Sequence, residues 1–148
     1  MSAFFESPVM QQRLVANVAH WFGTPFVAHA RIAGAGVDCV QLAAALYIAC
    51  GVIESFEPGH YTIQGGKHAG RSHVLDWIRD SNRFQRVQDV VAGDLLCMQF
   101  RQRVVHHVGV AIGGGKFVHV LERRSVEIAN LQDFAYRRAL KAIYRPLA

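Results

Sequence analysis

The chain has 148 residues, 51% of them apolar and 18% charged, with a formal net charge of +5. That length supports one domain with a real core, and that balance argues against a disordered or fibrous chain. Three cysteines without a CxxC pair argue against a disulfide framework or a structural zinc site. The modest basic excess fits either an anionic partner such as cell wall or a plain basic surface, and no basic run with interleaved aromatics points to nucleic acid. Met1–Glu6 has neither a basic n-region nor a long apolar h-region, and no stretch reaches membrane-spanning length, so the expectation is a chain without an export signal, cytoplasmic as synthesised.

In chain order, Ser7-Pro8 predicts a helix start, with serine as cap and proline in the first turn. The helix carries Val9, Leu14, Val15, Val18 and Trp21 and stops at Gly23. Thr24 to Gly36 reads as a Gly/Ala-rich loop. Asp38-Cys39 then opens a run of good helix formers, Val40-Gln41-Leu42-Ala43-Ala44-Ala45-Leu46-Tyr47, ending with Cys50 at Gly51. Glu54 to Gly70 reads as irregular, with Pro58 and Gly65-Gly66. Ser72 to Arg83 reads as a shorter helix with Val74, Leu75 and Ile78 on its apolar side. From there the period changes to strands: Asp94–Phe100, His106–Ile112, Lys116–Leu121, Ser125–Ile128 and Ala139–Tyr144. Helices first and strands afterwards predict α+β, with the helices on one face of an antiparallel sheet.

Cys39 is the residue to ask about first. A cysteine in the first turn of a helix meets unpaired N–H groups and the positive end of the helix dipole, which favour its thiolate, the nucleophilic form. Asp38 before it reads as the N-cap, with room for a substrate contact as well. Cys50 and Cys97 read as small buried hydrophobes. Of the histidines, His107 shares a strand face with Gly109 and Ala111, while His106 points the other way. If Gly113-Gly114-Gly115 forms a three-residue loop, Ala111 opposes Phe117 and Gly109 opposes His119. His107 and His119 are then diagonal neighbours, at roughly 7 Å or a little less between Cβ atoms. The small residues beside His107 would leave space for a helix end to approach. A cysteine, a histidine and a polar group that orients it make the triad of a cysteine hydrolase. His29, in the loop before Cys39, is expected to border the cleft; His20, His60, His68 and His73 have no spacing that demands a role. A metal reading with His106, His107, His119 and Cys39 lacks an acidic second-shell partner and is set aside. Arg31, Arg71, Arg101 and Arg103 are candidates to bind carboxylates.

These residues resemble the NlpC/P60 family of cell-wall cysteine peptidases. The resemblance rests on Gly23-Thr24-Pro25-Phe26, Asp38-Cys39, Gly93-Asp94-Leu95-Leu96, His107-Val108-Gly109-Val110 and Gly115-Lys116-Phe117-Val118-His119, in the family's order and spacing from about Trp21 to Val120. Within the family, Trp21–Phe26 and Gly34–Cys39 are most similar to the short phage-tail and gene-transfer-agent branch. The resemblance implies a papain-like α+β domain over residues 1–148, N-terminal helices packed on a roughly five- to six-stranded antiparallel sheet. It implies cleavage of peptidoglycan stem peptides, typically between the γ-carboxyl of D-glutamate and a diamino acid. Carried over by position, Cys39 is the nucleophile, His107 the base and His119 the third member; no cofactor and no metal are needed. Phage-tail or gene-transfer-agent proteins are implied as partners, and a virion-associated protein acting at the wall as the setting.

Two positions depart from the family pattern. Phe26 stands where the family often has a tyrosine hydroxyl at the active site. Val40 and Gln41 stand where serine and glycine usually follow the nucleophile. Both departures remove polar groups from positions that would contact substrate. They also raise the rival reading: a non-catalytic structural phage-tail or wall-binding module that keeps the fold.

Overall fold

Two side-chain oxygens start the two long helices. Ser7 Oγ accepts the Met10 amide at 3.2 Å, Pro8 occupies the first turn, and α1 spans Pro8–Trp21. Asp38 Oδ1 accepts the Gln41 amide at 2.8 Å, and α2 spans Cys39–Cys50, closed by Gly51 in the left-handed conformation at φ +87°. Both helices begin and end where the sequence predicts. α2 is apolar nearly all round and is buried to match, so it is a core helix rather than a surface one.

A computed structural model describes residues 2–57, 73–101 and 105–148. Most of the expected irregular stretch after Glu54, the start of the next helix at Ser72, and His60, His68, Arg71 and Arg103 lie outside those residues, as does the side chain of His73. Inside the Gly/Ala-rich loop, β1 (Arg31–Ile32) and β2 (Gly36–Val37) form a small antiparallel hairpin, too short to show a period in the sequence. The third helix, α3, spans His73–Ser81. The remaining strands are β3 (Phe84–Val87), β4 (Leu95–Met98), β5 (His107–Gly113), β6 (Lys116–His119), β7 (Glu127–Asn130) and β8 (Leu140–Pro146). They form one antiparallel sheet of six strands in the order β3-β8-β4-β5-β6-β7.

The structure corrects several expectations. β3 is absent from the sequence reading because Phe84-Gln85-Arg86-Val87 places its two apolar ends on opposite faces, so no alternation marks it. A short helix, α4 (Phe134–Ala139), is also absent from that reading; at six residues it is too brief to show a helical period. The strand expected at Ser125 begins at Glu127, because Ser125 bridges Pro25 instead. The strand expected over Ala139–Tyr144 starts one residue later and continues to Pro146.

The two faces of the sheet carry different cores. Leu95, Cys97, Val108, Val110 and Val118 pack with α1, α2 and α3 in the main core, together with Cys39. Leu96, Met98, Ala111, Phe117 and Ile143 form a second cluster on the other face, joined by Ala139 of α4. The expectation of helices on one face alone is therefore incomplete, since α4 covers part of the second face. Among the described residues, no helix is long and apolar enough to cross a membrane.

The Gly93-Asp94 step ties these layers together. Asp94 is 0% exposed, yet its oxygens accept Arg145 Nε at 3.0 Å, Arg145 Nη2 at 2.9 Å and the Val91 amide at 2.9 Å. Tyr47 of α2 donates its hydroxyl to the Gly93 carbonyl at 2.8 Å. A buried carboxylate with a bidentate guanidinium is held in place as long as both partners are present; stripping one leaves an uncompensated charge in the core. Arg145→Met should therefore lower the free energy of unfolding by about 3 kcal/mol, the low end for breaking a buried pair, as read from urea denaturation. An effect below about 1 kcal/mol, the range of an exposed pair, would show that water screens the clasp.

Candidate active site

The site begins with strand register. In β5 and β6, Val110 pairs with Val118 and Ala111 with Phe117, whereas beyond them Gly113 pairs with Lys116. The turn itself therefore holds two residues, Gly114 and Gly115, at φ +64° and +76°. Positive φ at both central positions is what a two-residue hairpin of type I′ requires. Such a turn alone would send His107 and His119 to opposite faces. The shift in register between Ala111 and Gly113 leaves Ile112 as a β-bulge, and that extra residue restores the shared face. The expected three-residue loop is thus corrected: the odd residue sits in the strand, and the Ala111–Phe117 pairing is retained.

His107 and His119 meet directly, with His107 Nε2 2.8 Å from His119 Nδ1. The far nitrogen of His119, Nε2, lies 3.3 Å from Glu127 Oε2 and 3.4 Å from the Tyr136 hydroxyl. Glu127 is directly opposite His119 in the β6–β7 ladder, and its other oxygen lies 3.4 Å from Arg124 Nε. Phe100 covers His107, with ring centroids 5.6 Å apart, and its own ring is partly open to solvent. His107 and His119 are both buried. Burial, reinforced by the neighbouring His119 and His106, pushes the His107 pKa well below its usual 6.5. Burial lowers that of His119 as well, against the opposing pull of Glu127.

Cys39 enters from the other side of β5. Its thiol is buried at the start of α2, where backbone hydrogen bonds with Val108, Val40 and Cys39 itself favour the thiolate. Desolvation outweighs them, helped by the charge of Asp38, and the thiol is pushed up to about 12. The expectation that the helix start produces a ready thiolate is corrected here: a few N–H dipoles do not offset removal from water. At neutral pH the free protein holds Cys39 as a thiol and His107 as a neutral imidazole. The expected approach of the helix end over Gly109 is also corrected. A Cβ on Gly109 would lie 2.8 Å from the Phe117 ring, so Phe117 fills that space while α2 packs with Val108 and Val110.

The remaining candidates sort by position. Asp38 is fully buried, and its second oxygen accepts the His29 amide at 2.7 Å, so both oxygens serve backbone groups of its own loop and helix; that placement gives no support to the expected substrate contact. His29 is exposed, in a turn at φ +66°, beside the loop that leads to Cys39. Phe26 and Val40 are half-buried against the main core. Arg31, half-buried in β1, has a buried Nη1 without a hydrogen-bond partner among the described residues, and Arg101 is exposed. His106 is half-buried with its ring 5.8 Å from Phe100. Cys50 and Cys97 are free and buried, and burial raises both thiol pKa values, that of Cys97 to about 12. Glu127 and Tyr136 do not figure in the sequence reading. Glu127 could have been found from the register of the strand after His119; Tyr136 offers no comparable signal, because it rides on the short α4.

Comparison with known proteins bears on the family and the fold. A model described as NlpC/P60 family matches residues 23–145. Gamma-D-glutamyl-L-lysine dipeptidyl-peptidase of Bacillus subtilis (strain 168) is 29% identical over 146 residues, covering 93% of this chain and 43% of that protein. The chain thus spans less than half the length of this relative. A solved NLP/P60-family protein similar to lipoprotein, from Staphylococcus aureus Mu50, matches with TM-score 0.70 at 17% identity over 100% of this chain and 45% of that one. RipD from Mycobacterium tuberculosis, described as a non-catalytic NlpC/p60 domain protein adapted to peptidoglycan binding, matches with TM-score 0.56 at 14% identity over 94% of this chain and 98% of that one. These structural likenesses establish the α+β papain-like NlpC/P60 fold.

The buried histidines carry a consequence for stability. Each has a folded-state pKa below its unfolded one, so below 6.5 the unfolded chain binds more protons than the folded one. Stability from this source is present above 6.5 and is lost as pH falls below it. The urea midpoint should therefore drop between about pH 7.5 and pH 5, and the slope should be shallower in His107→Gln. An unchanged slope in that variant would show that other groups carry the pH dependence.

Proposed function

The chain belongs to the NlpC/P60 family, and we propose that it is a cysteine peptidase that hydrolyses peptidoglycan stem peptides at the amide between the γ-carboxyl of D-glutamate and a diamino acid. The observation that carries this reading is the convergence of the α2 N-terminus, bearing Cys39, on the β5 strand that presents the hydrogen-bonded pair His107–His119. The relative from Bacillus subtilis, whose name specifies a γ-D-glutamyl-L-lysine bond, supports the choice of substrate.

We derive the steps from the resting state. His119 occupies Nε2 of His107, which leaves Nδ1 as the nitrogen available to take a proton. A neutral thiol and a neutral imidazole call for general-base catalysis: Nδ1 removes the thiol proton as sulfur attacks the amide carbon. A carbon–sulfur bond forms, and the backbone N–H groups at the start of α2 stabilise the oxyanion. The imidazolium returns the proton to the leaving amine as the carbon–nitrogen bond breaks. Water then attacks the thioester, giving its proton to His107, which passes it back to the departing sulfur. His119 keeps the His107 ring in position throughout.

The similarity of Trp21–Phe26 and Gly34–Cys39 to the short phage-tail and gene-transfer-agent branch supports delivery of this activity to the wall by such a particle, whose proteins would be its partners. A second reading is a wall-binding or structural tail module without turnover. It is favoured by Phe26 and Val40, which lack the hydroxyls usual at those positions, and by the precedent of RipD.

Incubation with purified muropeptides followed by mass spectrometry separates the two. The peptidase reading expects a product cut at the D-glutamyl bond, none from Cys39→Ala, a loss of at least about 10²-fold in His107→Ala and a far smaller loss in His106→Ala. Without the Phe26 and Val40 hydroxyls, substrates with and without the attached sugar should be cut at comparable rates. Binding without any product from the intact protein would favour the module.

A further inference from the structure

Resting on that reading, we infer that Glu127 is a positioning residue that decides which ring nitrogens of His107 and His119 carry their protons, with the Tyr136 hydroxyl as its competitor for the same nitrogen. Two neutral imidazoles joined by one hydrogen bond have two equally satisfied arrangements, because each ring carries one N–H and one lone pair. The 2.8 Å contact between His107 Nε2 and His119 Nδ1 fits either direction of donation. The choice is made at the far end of the pair, at His119 Nε2, where Glu127 Oε2 stands at 3.3 Å and Tyr136 Oη at 3.4 Å.

The two neighbours ask for opposite arrangements. A carboxylate only accepts, so Glu127 requires a proton on His119 Nε2. His119 Nδ1 then holds a lone pair, His107 Nε2–H donates to it, and His107 Nδ1 is left bare and basic. A donating Tyr136 hydroxyl requires the reverse. His119 then carries its proton on Nδ1 and donates to His107 Nε2, and the remaining His107 proton sits on Nδ1. In that state the base is lost without any atom leaving its place. A wrong histidine tautomer is among the costliest faults in a triad of this kind.

The surroundings favour Glu127. Cross-strand pairing sets it opposite His119, and Arg124 holds its second oxygen, so the carboxylate is fixed from both sides. Tyr136 comes from α4, its ring set edge-on against Phe117 and His119 at 5.1 and 5.2 Å. The titratable and charged groups that bear on the pair are His106 beside His107, Arg124 and Glu127 beside His119, and Asp133 beside Tyr136. Among these, Glu127 and Tyr136 are the two that share His119 Nε2.

The test is the ring-nitrogen NMR spectrum of the protein labelled with ¹⁵N-histidine, read without substrate and so independent of whether muropeptides are turned over. The wild-type protein should show Nε2–H on both His107 and His119; Nδ1–H on His107 would overturn the proposal with no variant needed. In Glu127→Leu both rings should switch to Nδ1–H, and kcat on muropeptides should fall at least about tenfold with KM little changed. Adding Tyr136→Phe to Glu127→Leu removes the competing donor and should recover part of that loss, which a structural role for either residue would not produce. Unchanged tautomers in Glu127→Leu, or a further loss in the double variant, would also overturn it. Correct tautomers in a protein that cuts no muropeptide would leave the inference standing and remove the peptidase reading.

Discussion

The pairing of β5 with β6 fixes almost everything else in the candidate site. Side chains alternate along a strand, so a slip of one residue would move His119 and Phe117 together to the opposite face and leave His107 without its partner. The bulge at Ile112 absorbs the mismatch between a two-residue turn and the pairing the histidines need. Bulges bend and twist the strand that carries them, and here the bend falls at the turn end of the hairpin, away from His107. The same register carries Phe117 beneath Gly109 and, through β7, brings Glu127 opposite His119. One local irregularity thus sets four side chains in place.

Dryness is the second organising condition. A helix N-terminus is a favourable place for an anion, worth up to about 2 kcal/mol in partly buried geometries. A shift of one pKa unit corresponds to about 1.4 kcal/mol, so a thiol raised from 9.0 to about 12 is governed by lost solvation, on the order of 4 kcal/mol, rather than by the dipole. The same burial keeps His107 and His119 neutral. Packing α2 into the main core thus leaves Cys39 un-ionised, and the proposed reaction accordingly moves the proton during attack rather than before it.

Much of this was legible in the sequence, for definite reasons. Ser7, Asp38 and Gly51 have side chains or backbone freedom suited to helix ends, so α1 and α2 fall where expected. Alternation along His107–Ile112 and Lys116–His119, with Ala111 opposite Phe117, puts the histidines on one face. Other features leave no local trace. The two-residue turn draws on the same glycine run as the expected three-residue loop, and nothing in the sequence marks Ile112 as a bulge. The small residues beside His107 suggested space for a helix, but only the tertiary structure shows Phe117 filling it. The pull of Asp38-Cys39 toward a thiolate is local, whereas the desolvation that reverses it comes from distant parts of the chain. Tyr136 depends on six residues of helix that no period announces.

The order of strands has a further meaning for how the chain assembles. β8, the last strand in chain order, lies between β3 and β4 rather than at an edge. Until residues 140–146 emerge from the ribosome, β3 has no neighbour in the sheet and β4 keeps one ladder of N–H and C=O groups unpaired. Contacts spanning so much sequence form slowly, and open strand edges invite pairing with other chains. The Asp94–Arg145 clasp spans that interval, so the carboxylate waits unpaired while the 51 residues up to Arg145 are made. The sheet is therefore closed by a strand arriving late into its middle, and its open edges are most exposed to aggregation just before that strand is made.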